Sequence, residues 1–143
     1  MVEAWFRHDW KPLNVIEVRH AASLLKWTRE DLLATVADLR AARLDERYPG
    51  ERWSIRGIPE HIADADLYYL NSVGLSGLTQ AQLPEDVFER LRVTRDSMEA
   101  ALPGLAGLEK VVGSQGELWS PRKLLRRAVW HECDHIDHIR KLI

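Results

Sequence analysis

The 143 residues leave room for one compact domain with a short extension, and 45% hydrophobic against 29% charged residues is too apolar for disorder. Twenty Lys and Arg against 22 Asp and Glu leave a formal charge of -2, which excludes an overall basic field attracting nucleic acid or an anionic membrane. A lone cysteine, no apolar run near the ~20 residues of a membrane span, and no apolar core in the opening MVEAWFRHDWKP argue against a disulfide scaffold, a membrane protein and a signal peptide, so a cytoplasmic protein is expected.

Residues 1–13 carry Trp5, Phe6 and Trp10 among charges and show neither helical nor alternating period, so they read as an irregular extension to a domain spanning 14–143. From Val18, the apolar positions Ala22, Leu25, Leu32, Val36 and Leu39 draw one helical stripe, interrupted at Arg29. Thr28 followed by Asp31 is a second possible start, so one long helix or two stacked pieces fit equally well. Tyr48-Pro49-Gly50 ends this region.

Trp53-Ser54 opens the second helix, with Ser54 as N-cap and Trp53 packing on Ile58. Pro59 moves the regular start to about Ile58, and the helix then runs to Gly74. Residues 75–84 read as a loop. The third helix begins near Pro84, shows Val87, Leu91, Thr94, Met98 and Ala101 on its inner face, and stops at Leu102-Pro103-Gly104. A glycine-rich connection follows, with room for a short hairpin. Trp119-Ser120-Pro121 then starts the last helix with an apolar residue, a cap and a proline at the first position. No convincing strand pair is present. The expected fold is all-α: a four-helix bundle with a short irregular N-terminal extension.

Chemistry concentrates in His131-Glu132-Cys133-Asp134-His135-Ile136-Asp137-His138. Residues four apart on a helix share a face, so His131 and His135 can aim two rings at one point. Buried imidazoles need partners, and a divalent cation satisfies two at once. His61, among the core-type residues of the second helix, is the leading third ligand. Three neutral imidazoles with a position left for water or substrate form a catalytic rather than a sealed site. Histidine-only ligation suits zinc, nickel, iron or copper.

WSIRGIPEHIADADLYYL and WSPRKLLRRAVWHECDHIDHIRKL resemble the DinB-like metalloprotein superfamily, which includes bacillithiol S-transferases and mycothiol-dependent enzymes. The likeness spans roughly residues 18–143. It implies a four-helix bundle holding a divalent metal through His61, His131 and His135, a homodimer, and a metal-activated low-molecular-weight thiol attacking a small-molecule substrate. Pro59 and the aromatic N-terminal segment depart from that pattern.

Other roles follow from the spacing. Glu132 within HECDH matches the zincin pattern HExxH and is a candidate catalytic base, although only eight residues follow His135 for a third ligand. His138 is a candidate acid/base or fourth ligand, weighed against a partly exposed place at the negative end of the helix. Asp64, one turn after His61, is a candidate acceptor orienting that ring. Cys133 lies off the histidine face and reads as a packed thiol. Arg122, Lys123, Arg126 and Arg127 read as a solvated face paired with carboxylates, with an anion site as the alternative. A metal-binding bundle without turnover is the rival to an enzyme.

Overall fold

The structure, a computed structural model, describes residues 5–143. Its four long helices are α1 (Val15–Val36), α3 (Gly57–Ser72), α4 (Val87–Ala101) and α5 (Pro121–Leu142), with a short α2 (Ala41–Asp45) between the first two. Helix α5 packs on α1 and α3, and α3 packs on α4. The four-helix bundle expected from the hydrophobic stripes is present.

Helix α1 is one continuous helix. Its start lies three residues before Val18, where Asn14 and Glu17 form a reciprocal capping box: Glu17 N donates to Asn14 Oδ1 at 2.8 Å and Asn14 N to Glu17 Oε1 at 3.1 Å. Thr28 caps nothing and instead donates to the Leu25 carbonyl at 3.3 Å. The segment before it, from Trp5, is irregular and pinned to the rest of the fold at several points, among them the Lys11 and Pro12 carbonyls, which accept from Arg122 at 3.2 and 2.9 Å. Asp9 accepts from Phe6 N at 2.6 Å and pairs with Arg126, and Gly107 N donates to the Leu13 carbonyl at 2.7 Å. Residues 1–4 of the expected extension lie outside the described residues.

Helix α3 starts one residue before Ile58, and Pro59 falls in its first turn, where a backbone N–H has no acceptor within the helix. Ser54 does not cap α3 directly. Its hydroxyl accepts from Gly57 N at 3.2 Å and closes the turn before the helix. A Cβ at Gly57 would lie 2.9 Å from Trp53 Cβ, so glycine lets the Trp53 side chain fold back along α3. Helix α4 begins at Val87, capped by Asp86, later than the Pro84 start.

The glycine-rich connection does contain a strand pair, β1 (Val112–Ser114) and β2 (Glu117–Trp119), with Val112 opposite Trp119. Gln115 and Gly116 between them both have positive φ, 51° and 81°, as a two-residue type I′ turn demands. Three-residue strands carry too little alternation to be read from the sequence. The hairpin delivers the fully buried Trp119 directly to the Ser120 cap of α5, whose hydroxyl accepts from Lys123 N at 3.1 Å.

Between its helices the bundle has two apolar clusters. One contains Leu25, Leu70, Met98 and Ala128, and the other Leu32, Ile62, Leu91 and Ile136. Each helix places one charged residue between its members of the two: Arg29, Asp66, Arg95 and Glu132. Arg29 Nη2 donates to Asp66 at 3.3 Å and Glu132 at 2.9 Å, and Arg95 Nη2 to the same oxygens at 3.1 and 2.6 Å. The other amino group of Arg29 reaches the Leu91 carbonyl of α4 at 2.8 Å. That of Arg95 reaches Leu25 of α1 at 2.6 Å. Two cations and two anions thus cancel within one layer and tie all four helices.

Candidate metal centre

Helices α3 and α5 lie side by side, and their facing stripes bring His61, His131 and His135 together. One nitrogen from each ring lies within 4.8 Å of those of the other two. His131 Nε2 and His61 Nε2 are 3.0 Å apart, close to the roughly 3.3 Å separating two ligands of a tetrahedral cation with bonds of about 2.0–2.1 Å. The rings meet edge to face, with centroids 4.5 to 5.0 Å apart. Trp53 stacks on His61 at 4.4 Å and stands edge-on to His135 at 6.0 Å. This is the side chain expected on Ile58; it packs against the apolar cluster that contains Ile58 and also stands over the His61 ring.

The electrostatics suit cation binding. Burial first, then the charges of His135, His61 and Arg127, push His131 down to about 3. Burial and the neighbours His61 and His138 push His135 down to about 4. His61 is lowered chiefly by burial, with Asp64 opposing and Arg52 adding to the effect. All three rings are therefore neutral at neutral pH, with lone pairs free to bind. His131 Nδ1 is buried with no protein partner among the described residues. A convergent set of neutral imidazole nitrogens is a donor set that a divalent transition metal fits.

A cavity of about 400 Å³ opens beside this cluster, lined by His61 and His131 together with Tyr68, Tyr69, Trp119 and Arg127. The larger apolar cavity, about 640 Å³ between α1 and α5, contains none of the three histidines. Its size reflects exposed apolar surface rather than chemistry.

Three expected roles are corrected. Glu132 is 0% exposed and its carboxylate lies against Arg29 and Arg95, so it braces the charge layer and is not placed as a catalytic base. The same burial removes the HExxH peptidase reading, which needs that glutamate at the metal. Asp64 lines the cavity, but its two oxygens accept from Arg90 at 2.8 Å and Gln80 at 3.0 Å. It influences His61 through charge rather than as a ring acceptor. Cys133 is exposed beside the α1–α5 groove instead of packed. Burial, followed by acidic neighbours from Glu132 onward, raises its thiol and leaves it a poor nucleophile.

His138 sits one turn beyond His135 with Nδ1 3.5 Å from His135 Nδ1, while its Nε2 is 2.7 Å from Glu51. Neither His138 nor His135 lines the cavity, and His138 links the His135 ring to Glu51. Trp53, Tyr69 and Glu51 are the neighbours that sequence reasoning missed. Only the Trp-Ser pair before His61, which recurs as Trp119-Ser120, pointed towards one of them.

A bundle with three histidines converging from two helices beside a cavity is the class of protein defined here. The profile of the DinB superfamily matches residues 24–139, and the chain belongs to that superfamily. Among solved structures, it is similar to TT2238, described as a four-helix bundle protein, at 19% identity and a TM-score of 0.66. The match covers 87% of this chain and 98% of that one and concerns the fold alone. No curated protein matches the chain. No helix among the described residues is long and apolar enough to cross a membrane.

Proposed function

We propose that the protein is a metal-dependent enzyme in which His61, His131 and His135 hold one divalent cation, zinc, nickel or iron, and a small-molecule substrate reacts in the adjoining cavity. A single observation carries this reading: three neutral imidazoles converge, and two of them, His61 and His131, line a 400 Å³ cavity instead of being sealed in the core. When bound, the cation acidifies a coordinated small thiol or water and so supplies a nucleophile at neutral pH. The protein's own part is positional. Trp53 and the α3–α5 packing fix the rings, while Tyr68, Tyr69 and Trp119 form an aromatic wall that limits water. S-transfer to an electrophile is the reaction class favoured by superfamily membership.

Elemental analysis of protein purified without an affinity tag tests the centre. About one metal ion per chain is expected, lost in His61→Ala. A panel of small thiols offered with an alkylating electrophile then tests turnover, with the metal-free protein and His61→Ala as blanks. Stoichiometric metal without turnover of thiol or water chemistry would make the cation a brace of the bundle.

The homodimer is part of the same proposal. The α1–α5 groove is apolar, and Ile16 and Trp130 beside it are 75% and 50% exposed, a contiguous patch of the kind that marks association. Arg122 and Glu17 form a paired polar rim. A second copy offering the same face buries both patches at once. Light scattering is expected to give a dimer that Ile16→Glu converts to monomer with metal content unchanged. A monomeric wild type overturns it.

A further inference from the structure

Helix α5 carries two pairs of cations in its first two turns, Arg122-Lys123 and Arg126-Arg127, and the structure separates one residue from the rest. Arg122 pairs with Glu17, Lys123 with Glu117 at 3.5 Å, and Arg126 with Asp9. Arg127 has no carboxylate partner among the described residues, and its Nε is buried without a hydrogen bond. It lies one turn before His131 on the same face and lines the cavity with it. It stands over the buried Tyr69, with the guanidinium 5.7 Å from the ring centroid. The acids of the cavity are already engaged, Asp64 with Arg90 and Glu117 with Lys123. The one charge in the cavity without a counter-ion is therefore positive.

From this the geometry points to Arg127 as the residue that recognises a carboxylate on the small molecule reacting at the three-histidine centre, an inference that rests on the metal-site reading above. A guanidinium offers a planar fork matched to a carboxylate, and its partly desolvated setting strengthens the pair. A single unpaired cation flanked by Glu117 and Asp64 suits a monoanion better than a phosphate dianion. The class assigned is thus a mercapto-acid, its carboxylate paired with Arg127 while its sulfur faces the histidine cluster. Arg127 binds and orients, and takes no proton.

The cobalt(II)-loaded protein tests this by binding, since a coordinated thiol gives a sulfur-to-cobalt absorption band. Titration with mercaptoacetate and with 2-mercaptoethanol is expected to show the acid binding at least about tenfold more tightly, the order of one charge-assisted pair. Arg127→Met, which keeps the apolar stem, is expected to reduce that ratio to about one with 2-mercaptoethanol affinity unchanged, and Arg127→Lys to restore part of it. A preference that survives in Arg127→Met, or no preference in wild type, overturns the assignment and leaves the metal centre standing. Failure of cobalt to bind, or of either thiol to give the band, overturns both.

Discussion

Glu132→Ala is expected to destabilise the protein by about 3–5 kcal/mol, the cost of leaving buried charge without its counter-charge. Arg29 and Arg95 converge on the same glutamate oxygen, so removing it leaves two guanidinium groups sharing the single carboxylate of Asp66 between two apolar clusters. That loss rivals the whole stability of an ordinary domain, about 5–15 kcal/mol, and corresponds to a fall in melting temperature of roughly 10 °C or more. Asp66→Asn is expected to be milder. Burial outweighs the pull of Arg95 and Arg29 and raises the Asp66 carboxyl, so its ionised form already costs folding free energy. Replacing all four charges together by Met and Leu is expected to recover most of the stability, because no ion then remains to desolvate. Thermal and urea melts of the single, milder and fourfold variants check the order. A Glu132→Gln protein that melts like wild type yet has lost its reaction would return Glu132 to the role of base.

That charge layer shows how far the sequence could be read and where it stopped. The stripe in α1 was legible apart from one interruption, Arg29, and that interruption was the visible edge of the layer. Its partners were not legible as partners, because Asp66, Arg95 and Glu132 look like ordinary exposed charges until tertiary packing aligns them at one height. Glu132 was misread for a definite reason. Between two histidines on one helix it reproduces a peptidase spacing, whereas a helix turns about 100° per residue and carries position 132 away from the face of 131 and 135. The histidine triad itself was legible, since the 131/135 spacing defines a face and His61 lies on an apolar one. What the Trp53 side chain does was not, because its place over His61 depends on Gly57 permitting a close approach, a constraint only coordinates express.

The metal-free protein is expected to lose stability as the pH falls from about 6.5 towards 4. The sign follows from the lowered values of the cluster. An unfolded histidine takes up a proton near 6.5, whereas folded His131 and His135 resist until about 3 and 4. Below 6.5 the unfolded chain therefore binds more protons than the folded one, and stability drains away with each step down in pH. Ordinary carboxylates titrate lower, so the upper part of this window isolates the histidines. His131→Asn is expected to flatten the slope. A bound cation occupies the same lone pairs and reverses the balance: at a free metal concentration about a hundredfold above Kd it adds roughly 2.7 kcal/mol, a rise in melting temperature of roughly 5–10 °C. His61→Ala should abolish that rise, because the two remaining rings on α5 no longer have a ligand on α3 to clamp against. A metal-free melting temperature that does not move between neutral pH and 5, together with no shift on adding zinc, would mean that the three rings merely pack against one another.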